Sequence, residues 1–325
     1  MIRTPICDLL GITHPIVLGG MGSATSPKLV AAVSNAGGLG TLGTSTLAGE
    51  QITAAAKAIR ESTDKPFGIN HLLFRLRDED YAATLAARPA VVAFAWARRE
   101  QDLRRYFDQA HDAGSKVMYM ASTRTEALRA ADAGADVIVA QGTEGGGHVG
   151  WMATIVIVPM VVSAVAPLPV LAAGGIADGR GLVASLALGA QGVLLGTRFL
   201  ATPEAPIHEH FKQAIVKSDG HDTMLTEIHD LASGQVWPGA MARVQRNAAI
   251  ERWVGREWFV RENRDEISQA LADARRAGDV NNATLLFGQD AGLIDSIAPA
   301  AKLVETIAAE ADEIIRLRLS EFLRT

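Results

Sequence analysis

The chain has 325 residues, of which 48% are hydrophobic and 21% charged, as in a globular protein with a large core that forms one large or two ordinary domains. Its formal net charge of −5 argues against a nucleic-acid-binding surface, which would need a basic stripe. A lone cysteine, Cys7, excludes an intrachain disulfide and a cysteine-based metal cluster, and it favours a reducing, cytoplasmic compartment.

The chain begins without an apolar segment in residues 1–8, so we expect no signal peptide. From residue 14 to about 200, short apolar runs alternate with helical stretches. Most of these runs are continuous, which is typical of parallel strands buried on both faces. The predicted strands are Ile16–Leu18, Leu39–Leu42, Phe67–Asn70, Val91–Phe94, Lys116–Met120, Val137–Gln141, Val170–Ala173 and Gly192–Gly196.

Helical patterns lie between these strands. Ser26 and Pro27 resemble an N-cap followed by proline at the first helical position, and Asp178 is a second candidate N-cap. The predicted helices include Pro27–Ala36, Glu50–Arg60, Glu100–Ala113, Thr123–Ala133 and Gly179–Leu188.

Eight strand–helix units in succession predict an α/β fold, a (β/α)8 TIM barrel. The alternative is a doubly wound open sheet, whose dinucleotide fingerprint is G-x-G-x-x-G after the first strand. Gly20 and Gly22 begin that pattern, but Thr25 occupies the third glycine position. The barrel is therefore the favoured fold.

The apolar stretch Ile155–Gly174 is long enough to suggest a membrane helix. Pro159, Pro167 and Pro169 interrupt it, and the last two forbid a regular helix at that point. We therefore predict a buried helix, a proline turn and a buried strand, and no membrane association.

The pattern changes after Ala205. Residues 206–289 contain three of the five tryptophans (Trp237, Trp253 and Trp258), many charges and no convincing strands. We predict that this segment is a helical insertion or cap near the C-terminus that contributes to a substrate pocket. Residues 1–205 and 290–325 would form the barrel, with Leu303, Ile307, Ala311 and Ile314 on one face of a closing helix.

Functional residues of such barrels lie at the carboxyl ends of the strands. The sixth strand leads into Gln141-Gly-Thr-Glu-Gly-Gly-Gly-His148, whose glycines, Gly146 and Gly147 among them, let main chain approach a flat ligand. His148 is the one imidazole in this segment and a candidate acid–base group. The alternative interpretation is a flexible glycine loop with a solvated histidine.

The loops after the last two strands predict a phosphate site. Ala173-Gly174-Gly175 and Gly196-Thr197 offer backbone N–H groups and one hydroxyl, as phosphate binding requires. The alternative is that these glycines only form tight turns.

Glycines also follow the first strand, at Gly19 and Gly20 before Met21, and Asn70 ends the third. A phosphate anchor beside bare main chain leaves room for a planar ring, and FMN suits it better than a dinucleotide because no adenosine-binding signature is visible. Asn70 and Gln141 could hydrogen-bond the polar edge of the ring, or simply cap their strands.

Taken together, these segments resemble the nitronate monooxygenase (2-nitropropane dioxygenase) family of FMN enzymes. The resemblance is strong over residues 10–205 and loose over 206–325. The matching segments are His14–Met21, Ser34–Gly40, Lys65–Asn70, Gln141–Gly150, Ala172–Gly179, Gly196–Phe199 and Gly288–Gly292.

The resemblance implies FMN at the barrel mouth and His148 as catalytic base. Gly20 and Met21 would lie by the flavin ring, and Asn70 and Gln141 by its polar atoms. The phosphate would be held by Gly174, Gly175, Gly196 and Thr197. The implied reaction is the oxidation of alkyl nitronates, and of nitroalkanes after loss of the α-proton to His148, with O2 to a carbonyl compound and nitrite.

Two related branches use NAD(P)H: the enoyl-ACP reductase II type and the quinone reductase type. Residues His71–Asp78 lack the Pro-rich stretch associated with the quinone reductases. They also depart from the Tyr-containing pattern of well-defined nitronate monooxygenases, although Tyr81 is near. The substrate and the reductant of the flavin therefore stay open.

Further alternatives are a non-catalytic flavin- or phosphate-binding barrel and a cofactor-free aldolase or isomerase. The latter chemistry prefers lysine or paired carboxylates at strand ends, where only Glu144 is near. His208, His210, His221 and His229 are interpreted as surface or cap residues, and no metal site is expected. The expected partners are a small-molecule substrate and O2, with NAD(P)H in the reductase alternatives and a homodimer as an open alternative to a monomer.

Overall fold

The computed structural model describes residues 2–322. Within this range the chain forms the strands β1 (Ile16–Leu18), β2 (Gly40–Gly43), β3 (Phe67–Leu72), β4 (Val91–Ala95), β5 (Lys116–Ala121), β6 (Val137–Gln141), β7 (Gly147–Val149), β8 (Val170–Ala173), β9 (Gly192–Leu195), β10 (Thr223–Thr226) and β11 (Met241–Gln245).

The helices flank and follow these strands. They are α1 (Pro5–Leu10), α2 (Pro27–Asn35), α3 (Gly49–Ser62), α4 (Asp78–Ala87), α5 (Leu103–Asp112), α6 (Arg124–Ala133), α7 (Thr154–Val165), α8 (Gly179–Ala187), α9 (Thr197–Leu200), α10 (Glu209–Lys217), α11 (Ile228–Ser233), α12 (Ala248–Trp253), α13 (Glu257–Glu262), α14 (Arg264–Ala277), α15 (Ala300–Glu313) and α16 (Leu319–Glu321). Short 3-10 turns cover Gly22–Ala24, Leu73–Arg75 and Gln289–Leu293, and a π-helical turn covers Ile314–Arg318.

Eight parallel strands form the barrel wall in the order β1-β9-β8-β6-β5-β4-β3-β2. The bridge between Val17 and Leu39 brings the two outer strands together, and the Leu18 amide donates to the Leu39 carbonyl at 2.9 Å. The predicted (β/α)8 barrel is therefore confirmed. Every predicted barrel strand lies within two residues of its observed bounds, because strands buried on both faces leave a clear apolar signal.

The hydrophobic core has two layers. Inside the barrel, side chains such as Val91, Val139 and Leu171 pack together with Ile6 and Cys7 of α1, which closes the amino-terminal end. Outside, a larger cluster fills the space between the strands and the surrounding helices, including α15. The site described below therefore lies at the opposite end, where the strands finish.

The predicted helix caps are present. The Ser26 hydroxyl accepts from the Leu29 amide at 3.2 Å, and Asp178 Oδ1 accepts from the Gly181 amide at 3.0 Å. Helix α7 occupies the apolar stretch predicted to form a buried helix. Ile157, Val158, Val161 and Val165 are buried, whereas Ile155 and Val156 are exposed. Among residues 2–322 no helix has the length and apolar character needed to cross a membrane.

The segment 206–289 is not wholly helical, so the expectation that it lacks strands is wrong. Its strands β10 and β11 pair in antiparallel fashion, and β11 also pairs with β7, with Ala242 opposite His148. The signal was weak because β7 is short and begins with glycine, and β10 and β11 contain polar residues at four of their nine positions. This small sheet attaches the segment to the loop after β6.

Candidate active site

A cavity of about 480 Å³ opens at the carboxyl ends of the barrel strands. Its other wall comes from the segment 206–289 and the turn that follows it. Each residue predicted as part of the site lines this cavity: Gly19, Gly20, Met21, Asn70, Gln141, Gly146, Gly147, His148, Ala173, Gly174, Gly175, Gly196 and Thr197. The fold thus brings together residues from the ends of five of the eight barrel strands.

One part of the cavity wall consists of bare main chain. A Cβ on Gly174 would lie 2.6 Å from the Gly142 carbonyl, and its φ of +96° also favours glycine. At Gly196 a Cβ would meet only the Met21 sulfur, at 3.4 Å, so this glycine opens onto the cavity. With Gly175 and Thr197, these residues form a cradle whose N–H groups and hydroxyl suit an anionic oxygen group.

The two predicted amide side chains are already engaged in hydrogen bonds. Gln141 Nε2 donates to the His148 carbonyl at 3.2 Å, and its Oε1 accepts from Ser122 Oγ at 3.3 Å. Asn70 Nδ2 makes a longer contact of 3.4 Å with the Gly20 carbonyl. Both side chains therefore help to fix the main chain of the cavity wall, and each keeps an amide N–H for a ligand.

His148 is paired with a carboxylate that the sequence did not reveal. Its Nε2 lies 2.8 Å from Asp230 Oδ1 on α11, and the side chains are 9% and 7% exposed. The expectation that Glu144 was the only carboxylate near this segment is therefore wrong. Glu144 instead accepts from the Thr154 amide at 3.0 Å and stabilises the start of α7.

The imidazole of His148 also stacks on an indole. The rings of His148 and Trp237 are 8° from parallel, with centroids 3.3 Å apart. Trp96, at the end of β4, meets Trp237 edge-on at 6.1 Å and has a φ of +56°, which is rare for a non-glycine residue. Of the tryptophans noted in the sequence, Trp237 lines the cavity, whereas Trp258 is exposed.

His229, interpreted from the sequence as a surface or cap residue, lies in the segment 206–289 and lines the cavity. Its ring centroid is 6.3 Å from that of His148. Burial is the main cause that lowers the pKa of His229 to about 4. The charge of Asp230 raises this pKa, whereas His148 and Arg275 lower it further. His229 is consequently neutral near pH 7.

Asp290, from the late sequence motif, lies in the wall next to the main-chain cradle. It is 4% exposed, and its Oδ1 has no hydrogen-bond partner among residues 2–322. Burial raises the pKa of Asp290 to about 7, against the effects of a hydrogen bond with Thr197 and the charge of Arg198. The Thr197 hydroxyl in turn accepts from the Gly288 amide at 2.9 Å.

Tyr81 does not reach the cavity. It packs edge-on against His71 at 6.1 Å, and its hydroxyl donates to the Tyr106 carbonyl. His71 is itself buried between two threonines, with Nδ1 2.8 Å from Thr44 Oγ1 and Nε2 2.8 Å from Thr84 Oγ1. Both rings therefore belong to the structural core.

Comparisons with known proteins agree with this geometry. The family model "Nitronate monooxygenase" matches residues 3–88 and 77–310. The chain belongs to the nitronate monooxygenase family. Membership makes it an oxidoreductase and implies a flavin cofactor.

Individual relatives align over nearly the whole chain. A (3aS,4S,5R,7aS)-5-hydroxy-7a-methyl-1-oxo-octahydro-1H-indene-4-carboxyl-CoA dehydrogenase of Mycobacterium tuberculosis is 34% identical, over 95% of this chain and 96% of the relative. FabK from Thermotoga maritima has a TM-score of 0.89 and 36% identity, covering 99% of this chain and 100% of FabK. A nitroalkane oxidase from Streptomyces ansochromogenes has a TM-score of 0.82 and 28% identity, covering 95% and 98%.

Proposed function

We propose that this chain is an FMN-dependent oxidoreductase that oxidises alkyl nitronates, and also nitroalkanes once a side chain of the site has removed their α-proton. The observation that carries the proposal is the contact of 2.8 Å between His148 Nε2 and Asp230 Oδ1 in the wall of a cavity lined by main chain. A carboxylate that orients an imidazole is the usual arrangement of a general base.

The residues that line the cavity have the chemistry needed to bind a flavin. Gly174, Gly175, Gly196 and Thr197 would hold its phosphate, and Gly20, Met21, Gly146 and Gly147 would leave space for its ring. The amide groups of Asn70 and Gln141 would meet the polar edge of that ring. When bound, FMN supplies the redox chemistry with the substrate and O2.

The protein residues would handle the proton. With its Nε2 engaged by Asp230, His148 would accept the α-proton of a nitroalkane at Nδ1, which has no hydrogen-bond partner within residues 2–322. Asp230 and the face of Trp237 would both stabilise the resulting imidazolium. A substrate supplied as the nitronate has already lost this proton and would not need the base.

A second candidate is an oxidoreductase of acyl-CoA thioesters that acts next to the thioester carbonyl. It is favoured by the relative from Mycobacterium tuberculosis, whose name specifies a carboxyl-CoA substrate and whose length this chain matches. The same dyad serves this reaction, since a carbon beside a thioester carbonyl is also a carbon acid. A non-catalytic flavin barrel would not need a carboxylate-oriented histidine.

Side-by-side assays under anaerobic conditions separate these functions. The purified protein should be yellow, release FMN on denaturation, and lose its flavin absorbance on addition of propyl-2-nitronate but only slowly with NADH or NADPH. Readmitted O2 should restore the colour and yield nitrite. Rapid bleaching by NAD(P)H without any response to the nitronate would establish a reductase instead, and bleaching by an acyl-CoA alone would establish the second candidate.

A further inference from the structure

Arg275, on the last turn of α14, stands out among the arginines that are shielded from solvent. Arg243 is buried, donates to the Thr143 carbonyl at 3.0 Å and faces Glu144. Arg198 is also buried, donates to the Ser296 carbonyl at 2.6 Å, and feels the charges of Asp295 and Asp290. Each of these two cations therefore has an acidic counterpart.

Arg275 has no such counterpart among the described residues. Within residues 2–322 its only hydrogen bond is a long one, from Nη1 to the Thr284 carbonyl at 3.4 Å, and its guanidinium lies 6.0 Å from the centroid of the Phe211 ring. Burial lowers the pKa of Arg275, and no carboxylate opposes that effect. The side chain nevertheless stays charged near neutral pH because the guanidinium is a very weak acid.

The surroundings of Arg275 define the ligand that would neutralise it. Arg275 lines the cavity together with apolar side chains from the barrel exit and the segment 206–289: Leu200, Ile207, Phe211, Ile215 and Leu285. The charge of Arg275 also lowers the pKa of His229. His229 is adjacent in sequence to Asp230, which contacts His148. The unpaired cation thus belongs to the part of the cavity that adjoins the proposed base.

We infer that Arg275 binds an anionic oxygen group, a carboxylate, on the apolar portion of the substrate. A guanidinium in an apolar wall recognises a carboxylate through charge-assisted hydrogen bonds, which strengthen as water is excluded. Among the carbon acids of the proposed function, those with a carboxylate on an aliphatic body are then preferred over small neutral nitroalkanes. The inference rests on the proposed function only in taking this cavity as the substrate site.

The test is calorimetric titration of the FMN-loaded protein with hexanoate, with 1-hexanol as the neutral probe of equal chain length. Hexanoate should bind at least about tenfold more tightly than 1-hexanol. Arg275→Gln should remove that preference, and Arg275→Lys should retain part of it. Arg276→Gln is the matched control, since Arg276 is on the same helix but exposed and paired with Asp273.

The cofactor phosphate is the other possible source of an anion. The affinities for FMN and riboflavin should be compared in the wild type and Arg275→Gln, and we expect their ratio to be unchanged. A loss confined to FMN would assign Arg275 to the cofactor and overturn the inference, as would equal binding of hexanoate by the wild type and Arg275→Gln. If the protein turns over nitronates but Arg275→Gln leaves hexanoate binding unchanged, only the inference about Arg275 is overturned. If hexanoate binding depends on Arg275 but nitronates are not turned over, only the proposed function is overturned.

Discussion

The indole of Trp237 covers one face of the His148 imidazole, with the ring centroids 3.3 Å apart and the planes 8° from parallel. Trp237 belongs to the segment 206–289, whereas His148 follows the sixth barrel strand. The indole Nε1 of Trp237 is buried and has no hydrogen-bond partner within the described part of the chain. The indole therefore contributes its π face rather than a hydrogen bond, and that face favours a protonated ring.

Replacing Trp237 by leucine should slow the turnover of a neutral nitroalkane by about two- to thirtyfold, since a cation–π contact contributes about 0.5–2 kcal/mol. Trp237→Phe should retain most activity because it keeps an aromatic face. Steady-state rates with nitroethane and with its nitronate would be compared. Trp258→Phe is the control, since Trp258 is exposed. A larger effect on the nitronate than on nitroethane would contradict a role in proton transfer.

Asp230→Asn should reduce the turnover of neutral nitroalkanes by about 10²- to 10⁴-fold, because the amide cannot orient and stabilise the protonated imidazole as a carboxylate does. Oxidation of preformed nitronate should change much less. Asp273→Asn, an exposed change on α14, serves as the control. Equal losses with both forms of the substrate would show that Asp230 maintains the fold of the site instead of acting through His148.

Gly196→Ala tests the main-chain cradle. The added methyl group would meet only Met21, at 3.4 Å, so the fold should tolerate it, but it would project into the space proposed for the phosphate. We expect FMN to bind about tenfold or more weakly, as measured by quenching of flavin fluorescence, with riboflavin affected less. In the control Gly49→Ala, at the start of a helix outside the cavity, FMN binding should be normal. Unchanged FMN affinity in Gly196→Ala would place the phosphate elsewhere.

Asp290 should make the stability of the cofactor-free protein depend on pH. Its pKa is raised from 3.8 to about 7 in the folded state, so the folded chain holds a proton that the unfolded chain releases. The contribution of protonated Asp290 to the free energy of unfolding is complete below pH 3.8 and is lost as the pH rises through about 7.

The difference between the two pKa values of Asp290 corresponds to about 4 kcal/mol. Asp290→Asn, which cannot ionise, should therefore be more stable than the wild type near pH 8, and the advantage should shrink towards pH 5. Urea denaturation at both pH values would measure the free energies of unfolding. A pH-independent difference between the two proteins would mean that Asp290 is ionised in the fold.

The sequence predicted the barrel because its signals are local. Strands β6 and β8 are unbroken apolar runs, and Ser26 and Asp178 stand directly before the helices that they cap. The glycines at the strand ends could be assigned to one site because parallel strands finish at the same end of a barrel.

Other parts of the site could not be predicted because their signals are not local. Asp230 is 82 residues from His148 in sequence, and tertiary contacts such as the pairing of β11 with β7 bring its helix to the histidine. His229 resembled any histidine of a polar segment, and nothing in the sequence around Arg275 indicated that it lacks a counter-charge. The strands β10 and β11 were missed because their polar residues hide the alternation of a half-buried sheet.

The antiparallel pairing of Gly147–Val149 with Met241–Gln245 has an evolutionary consequence. It attaches the histidine to the segment 206–289, which also supplies the carboxylate and the indole, while the glycine-lined floor belongs to the barrel. Under the proposed function, substitutions in the segment 206–289 would change the preferred carbon acid and leave flavin binding undisturbed. Such a division of labour would allow one ancestral redox scaffold to give rise to enzymes as different in substrate as nitroalkane oxidases and CoA-thioester dehydrogenases.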